Sequence, residues 1–217
     1  MLKVGIITQA RMTSTRLPGK VLMEAGGKTL LEYHIERLQW SGLPVFIATT
    51  VNTTDDCIVD FAKSHHIEIY RGDEQNVLNR YYECAHKYGL DILVRVTSDC
   101  PLIDGYLIKE AVEEYLKKGD SELYISNGIQ RTFPRGFDFE VFSFKLLEYA
   151  QKHAEQDSDK EHVTPYIHQN RSGKVKIQHF LSSKNNSDIR ITVDTQEDYQ
   201  LVKILLEEYH AGSLTFE

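Results

Sequence analysis

The sequence is short of cysteine, long apolar runs and positive charge, and each shortage removes a class of function. Its three cysteines, Cys57, Cys84 and Cys100, form neither an even set nor a C-x-x-C pair. That excludes a disulfide framework and a clustered zinc site, and the three read as small buried side chains. The apolar run VGIIT at 4 to 8 is too short for a signal peptide or a membrane span, and no later run is longer. A cytoplasmic protein without a membrane partner is expected. With a formal net charge of -7 there is no broad basic face for nucleic acid. Internal repeats, low-complexity tracts and Pro/Gly/Ser linkers are also missing, so residues 1–217 are expected to form a single domain.

What is present is a 41% hydrophobic chain, ample for a core, in which short β-rich runs alternate with helical periodicity. KVGIIT (3 to 8), VFIATT (45 to 50), IEIYRG (67 to 72) and DILVRVTSD (91 to 99) read as strands. Helices are expected over 29–40, 53–65, 76–88 and 105–118. The pattern is that of an α/β domain with a mostly parallel sheet. After residue 120 the rhythm loosens: strands are expected at 122–127, 136–144, 174–181 and 188–194, and helices at 143–153, near 160–169 and at 195–210. An inserted hairpin or lobe over about 121–187 is expected, beside a first part over about 1–120.

One stretch reverses the overall charge. Between Met1 and Met23 the charged residues are Lys3, Arg11, Arg16 and Lys20, and the first acid is Glu24. QARMTSTRLPGK at 9 to 20 follows the first strand, which places it at the carboxyl edge where open α/β sheets bind ligands. It is not a P-loop: Ser14 stands at the first glycine position and Val21 at that of the metal-binding hydroxyl. G-x-G-x-x-G is absent too. There remain hydroxyls at Thr13, Ser14 and Thr15, guanidinium forks at Arg11 and Arg16, and Lys20 after a Pro-Gly turn, a set suited to phosphate oxygens. Magnesium, which triphosphate chemistry usually requires, takes one or two carboxylates. Asp99 and Asp194 each end an expected strand. Thr49, Thr50, Asp55 and Asp56 lie near the same edge, where capping of the next helix is the stronger role. No histidine pair has zinc spacing.

QARMTSTRLPGKVL, ATTVNTTDD, RVTSDCPLID and ITVDTQEDYQLV, in that order, resemble the cytidylyltransferase family that includes the enzymes activating 3-deoxy-manno-octulosonate and acylneuraminate. NVLNRYYECA, RTFPRGFDFEVFSF and KEHVTPYI are similar to its spore-coat polysaccharide, SpsF-like branch. The resemblance implies a three-layer nucleotide-diphospho-sugar transferase fold of the glycosyltransferase-A type with a mixed, mostly parallel central sheet. It implies transfer of a nucleoside monophosphate, from CTP by default, to a sugar or sugar phosphate, with release of pyrophosphate, by a homodimer. Gln9, Ala10, Arg11, Ser14, Thr15, Arg16, Lys20, Thr49, Arg80 and Thr97 are the implied nucleotide contacts, with Arg11, Arg16, Lys20 and Asp99 catalytic. Asp99 and Asp194 would hold Mg2+. Arg135, Asp138, Glu140 and His162 are candidates for the sugar, with Arg131 nearby and Glu161 and His162 expected from across a subunit interface. The sugar-acid enzymes have Gln-Gly before the first aspartate, where this chain has Thr97-Ser98. Two alternatives stand beside this: a glycosyltransferase, for which the D-x-D pair is missing, and a non-catalytic nucleotide-binding subunit.

Overall fold

The computed structural model describes residues 2–216. The elements are β1 (Val4–Gln9), β2 (Glu24–Ala25), β3 (Lys28–Thr29), α1 (Leu30–Gln39), β4 (Val45–Thr50), α2 (Asp56–Ser64), β5 (Glu68–Gly72), α3 (Val77–Tyr88), β6 (Ile92–Thr97) and α4 (Gly105–Lys118). They continue with β7 (Leu123–Ser126), β8 (Glu140–Ser143), α5 (Phe144–His153), α6 (Asp157–His162), α7 (Pro165–His168), β9 (Lys176–His179) and α8 (Gln196–Glu207). A seven-stranded sheet runs in the order β5-β4-β1-β6-β8-β7-β9. β5, β4, β1 and β6 are parallel, β8 is antiparallel to both its neighbours, and β9 is parallel to β7.

The strands buried on both faces are the near-continuous apolar runs, as a covered parallel sheet requires. Ile6, Ile47, Val94 and Val141 pack on one face with Leu38 of α1, Ile58 of α2 and Val112 of α4. Ile7, Phe46, Leu93 and Phe142 pack on the other with Tyr81 of α3 and Leu147 of α5. Three layers result. Helix starts carry the local signals: the Thr29, Asn76, Asp104 and Ser143 side chains accept the first free amides of α1, α3, α4 and α5, and Thr195 with Asp198 forms a capping box on α8.

The first half follows the sequence closely, and the second half departs from it. The lobe strands β7, β8 and β9 complete the same sheet. Of the strand expected at 136–144 only Glu140–Ser143 pairs, because side chains take the ladder groups before it. Asn127 Nδ2 donates to the Phe137 carbonyl and Asn127 Oδ1 accepts the Phe139 amide. The expected strand at 188–194 is extended chain with a lone bridge, Arg135 to Arg190. It crosses Gly136, whose φ is 114° and where a Cβ would stand 2.8 Å from Ile191, so only glycine allows this approach. The helix expected near 160–169 splits into α6 and α7 at Val163, whose φ of 71° leaves helical geometry, and Pro165 then opens α7 at its first position. Cys84 and Cys100 are buried, but Cys57 is exposed on α2. No helix among the described residues is long and apolar enough to cross a membrane.

Candidate active site

Strands β1 and β6 are paired in register from Val4–Ile92 to Gln9–Thr97, so the loops that follow them leave the sheet side by side. The loop after β1 closes on itself: the Gly19 amide donates to the Met12 carbonyl at 2.8 Å, and Gly19 takes a φ of 74°, open to glycine without strain. Asp55 fixes the loop from outside. Its Oδ1 accepts the Met12 amide at 2.8 Å, and its Oδ2 is bonded by the Thr50 hydroxyl. Asp55 stands at the N-cap of α2, but its side chain does not make the capping bond expected there and instead ties the basic loop to β4. Thr49 donates to the same carboxylate and is fully buried, so it is removed from the implied nucleotide contacts.

Between these loops opens a cleft of about 840 Å³. Gln9, Ala10, Arg11, Ser14, Thr15, Arg16 and Lys20 line it from the first loop, and Thr97 and Asp99 from the second. Arg80 of α3, His162 of α6 and Asp194 before α8 complete it. The early cationic loop and the two distant aspartates thus share one wall.

Lys20 lies between the two acids. Its Nζ is 3.0 Å from Asp194 Oδ1 and 3.6 Å from Asp99 Oδ2, and it donates to the Val193 carbonyl at 2.7 Å. Arg16 reaches Asp194 Oδ1 at 2.8 Å, and Arg190 its Oδ2 at 3.0 Å. Burial would raise the Asp194 carboxyl, but the hydrogen bond and charge of Lys20, with Arg16 and Arg190, outweigh it and hold the group below its ordinary value. Asp99 is set by the Thr97 hydroxyl, which donates to Oδ1 at 2.5 Å, and by the Val193 amide, which donates to its carbonyl at 2.8 Å.

Across the cleft, Arg11 pairs with Glu74 at 3.0 Å. Glu74 also accepts from the Thr13 hydroxyl and from Asn52 Nδ2 at 2.6 Å. Its carboxyl lies below the ordinary value, chiefly through the Thr13 hydrogen bond. Arg80 Nη1 donates to the Asp73 carbonyl, while Arg80 Nε and Gln9 Oε1 are buried without partners. Sequence reasoning missed Glu74, Asn76, Asp157 and Lys160, which line the same cleft. Asp157 and Lys160 come from α6, in the lobe; only the fold brings them here.

A second cavity of about 390 Å³ adjoins the cleft at Thr97, which lines both. Asp138 and Glu140 of the expected sugar set are here, with Arg131. Glu140 does not lie on an exposed polar face. Its Oε2 accepts Arg95 Nη1 at 2.9 Å, and its Oε1 accepts the Tyr124 hydroxyl at 2.8 Å and the Thr164 hydroxyl at 2.9 Å. Asp138 pairs with Arg131 and accepts the Gly136 amide at 3.1 Å. Burial opposes the charge on Arg95, but Glu140 more than compensates and raises its pKa. Arg135 lines neither cavity: its backbone pairs with residues 189 and 191 and its side chain is exposed. Glu161 and His162, expected from across an interface, line the cleft of their own chain.

The two cavities are joined by a tight turn. Val163 has a φ of 71° and a ψ of -54°, and the Thr164 amide donates to the His162 carbonyl at 2.8 Å. This γ-turn is strained for a β-branched residue. It aims His162 at the cleft and Thr164 at Glu140.

Asp99 and Asp194 are hard oxygen donors close enough to contact one ammonium group. Such a pair fits magnesium, which takes few protein ligands and completes its shell with water and phosphate. No group of three or more His, Cys, Asp or Glu side chains suited to a metal occurs among the described residues, so the donor set is not that of a dedicated protein cage.

Known proteins resemble this chain in sequence and in fold. Residues 5–213 match the sequence model of a family described as cytidylyltransferase. The chain is 38% identical over 201 residues to an uncharacterized protein of Methanocaldococcus jannaschii, covering 91% of this chain and 80% of that one. It is 32% identical over 212 residues to the spore coat polysaccharide biosynthesis protein SpsF of Bacillus subtilis, covering 93% and 85%. A solved cytidylyltransferase from Leptospira borgpetersenii superposes with a TM-score of 0.92 at 37% identity, over 96% of this chain and 88% of that one.

Proposed function

The chain belongs to the cytidylyltransferase family, and from that premise we propose a magnesium-dependent enzyme that transfers CMP from CTP to a sugar acceptor for polysaccharide synthesis. The observation that carries this is the contact of Lys20 with both Asp99 and Asp194 on the cleft that the arginine loop lines. An acceptor oxygen bonds to the α-phosphorus as the bond to the departing pyrophosphate breaks. Charge grows on the phosphate oxygens, and fixed cations beside them lower the barrier by electrostatics and positioning. Arg11, Arg16 and Lys20 hold the β and γ phosphates, with the Ser14 and Thr15 hydroxyls as further donors. Asp99 and Asp194 hold the magnesium, which when bound neutralises phosphate charge. Lys20 then passes from the carboxylates to the phosphates.

Two residues of the cleft leave a buried polar atom unpaired, Gln9 Oε1 an acceptor and Arg80 Nε a donor, and a base that carries both an amino group and a ring carbonyl, as cytosine does, complements them. The lobe over 121–187 supplies the acceptor site, where Asp138 and Glu140 meet hydroxyls. His162 stands at the border between the two substrates. A cytoplasmic homodimer belongs to the same proposal; light scattering that gives a monomer removes the dimer. The decisive assay incubates the protein with CTP, magnesium and a panel of sugars and sugar phosphates, and follows pyrophosphate. Release with CTP and one acceptor class is expected, and release with no triphosphate overturns the function.

A further inference from the structure

A buried polar chain next to Asp99 takes no part in the contacts described so far. His34 of α1 and Thr8 of β1 are fully buried, and Ser98 is 2% exposed. Thr8 Oγ1 lies 2.8 Å from Ser98 Oγ and 2.8 Å from His34 Nε2, and His34 Nδ1 lies 2.8 Å from the Cys100 carbonyl. A carbonyl only accepts, so Nδ1 carries the ring proton. Burial, only partly offset by the Cys100 carbonyl and Asp99 and reinforced by Arg37, keeps the ring neutral down to about 4. Nε2 is then an acceptor and takes the single Thr8 proton, which leaves Thr8 Oγ1 to accept from Ser98. Every bond runs one way: Ser98 to Thr8, Thr8 to His34, His34 to Cys100.

The two ends of this chain are the residues that flank Asp99. Asp99 itself is held by Thr97 and by the Val193 amide, but neither contact fixes the peptide on both sides of it. A fully satisfied buried network of this kind rigidifies what it joins, and outer partners of a metal-binding carboxylate set its orientation. Resting on the nucleotide reading above, we propose that His34 and Thr8 are positioning residues, which lock the Asp99 loop onto α1 and aim its carboxylate at the metal shared with Asp194.

The test needs no acceptor. CTP binding is measured by calorimetry with and without MgCl2 for the wild type, Thr8→Val and Thr8→Ser. Thr8→Val keeps the shape and deletes the hydroxyl. It should leave metal-free CTP affinity unchanged, because the basic loop is intact, and cut the gain given by magnesium about tenfold. Thr8→Ser restores the hydroxyl and should return that gain to within about threefold of wild type. An undiminished magnesium gain in Thr8→Val overturns the positioning role. Wild type that binds no CTP overturns the nucleotide reading instead, and the proposal with it. Should Thr8→Val fail to fold, the 15N shifts of His34 in the wild type still decide, since a ring protonated at Nε2 at neutral pH contradicts the chain's direction.

Discussion

The cleft and the second cavity meet at Thr97, and both pair their cations with carboxylates, but they hold those pairs differently. In the cleft two of the loop's three cations are reachable, with the Arg16 side chain 62% exposed and that of Arg11 43%, while Lys20, between the two acids, is 11% exposed. In the second cavity Arg95 and Glu140 are 15% and 16% exposed, and Tyr124 and Thr164 tie the carboxylate further. Exposed ion pairs are weak and exchange partners readily, whereas losing one member of a buried pair strands a charge. In the function proposed above, Arg11 and Arg16 are therefore the cations that trade carboxylates for phosphates, while the Arg95–Glu140 pair stays fixed around whatever enters the second cavity.

The largest effect that would sharpen this contrast is catalytic. Asp99→Ala should reduce magnesium-dependent pyrophosphate release by about a hundredfold or more, measured with CTP and an accepted sugar; full activity would falsify the metal assignment. Next is stability. Glu140→Gln strands the Arg95 charge and should cost about 3 kcal/mol, the low end for a buried pair because both groups keep some solvent access. Glu74→Gln, on the exposed Arg11 pair, should cost under about 1 kcal/mol. Urea melts that place the two variants together would break the comparison. Below these, Lys20→Ala should weaken CTP binding about tenfold or more, as loss of a charged hydrogen bond does. Arg16→Ala, at a more exposed cation, should lose less, and a larger loss at Arg16 would reverse the ranking.

The smallest effect is the pH dependence. His34 titrates near 6.5 when unfolded and about 4 when folded, so its contribution to stability is full above 6.5 and declines as the pH falls toward 4. Asp194, held below 3.8, acts in a lower window. Denaturation midpoints of wild type should therefore drop between pH 7 and pH 4.5, and His34→Gln should flatten that slope; an unchanged slope would assign the acid limb to other groups.

The cleft was more legible in the sequence than the cavity, for a physical reason. QARMTSTRLPGK, Asp99 and Asp194 each sit directly after an apolar run, and parallel strands bring such positions to one edge. That logic holds for Lys20 and Asp99, which follow β1 and β6; Asp194 reaches the same wall although the chain before it is no strand of the sheet and makes only the bridge at Arg190. The same logic gave no access to Glu74, Asp157 or Lys160, which reach the cleft from α3's approach and from α6 through packing alone. Around the second cavity local patterns misled. The alternation at 136–144 is real, yet Asn127, ten residues before Phe137 and twelve before Phe139, captures the backbone before the strand can extend. Arg135 looked like a substrate cation, but the crossing at Gly136 turns it to solvent. His34 gave no signal at all, because a histidine on a helix's apolar face looks the same whether it fills space or holds a loop.

Calorimetric titration of CTP in the presence of magnesium, on wild type and on Lys20→Ala, tests most directly that the basic loop and the two aspartates form one triphosphate site. Saturable binding by the wild type, tighter than for UTP, GTP or ATP and weakened in the variant, is the predicted result. Absence of nucleotide binding, or CTP binding that Lys20→Ala leaves untouched, would contradict it.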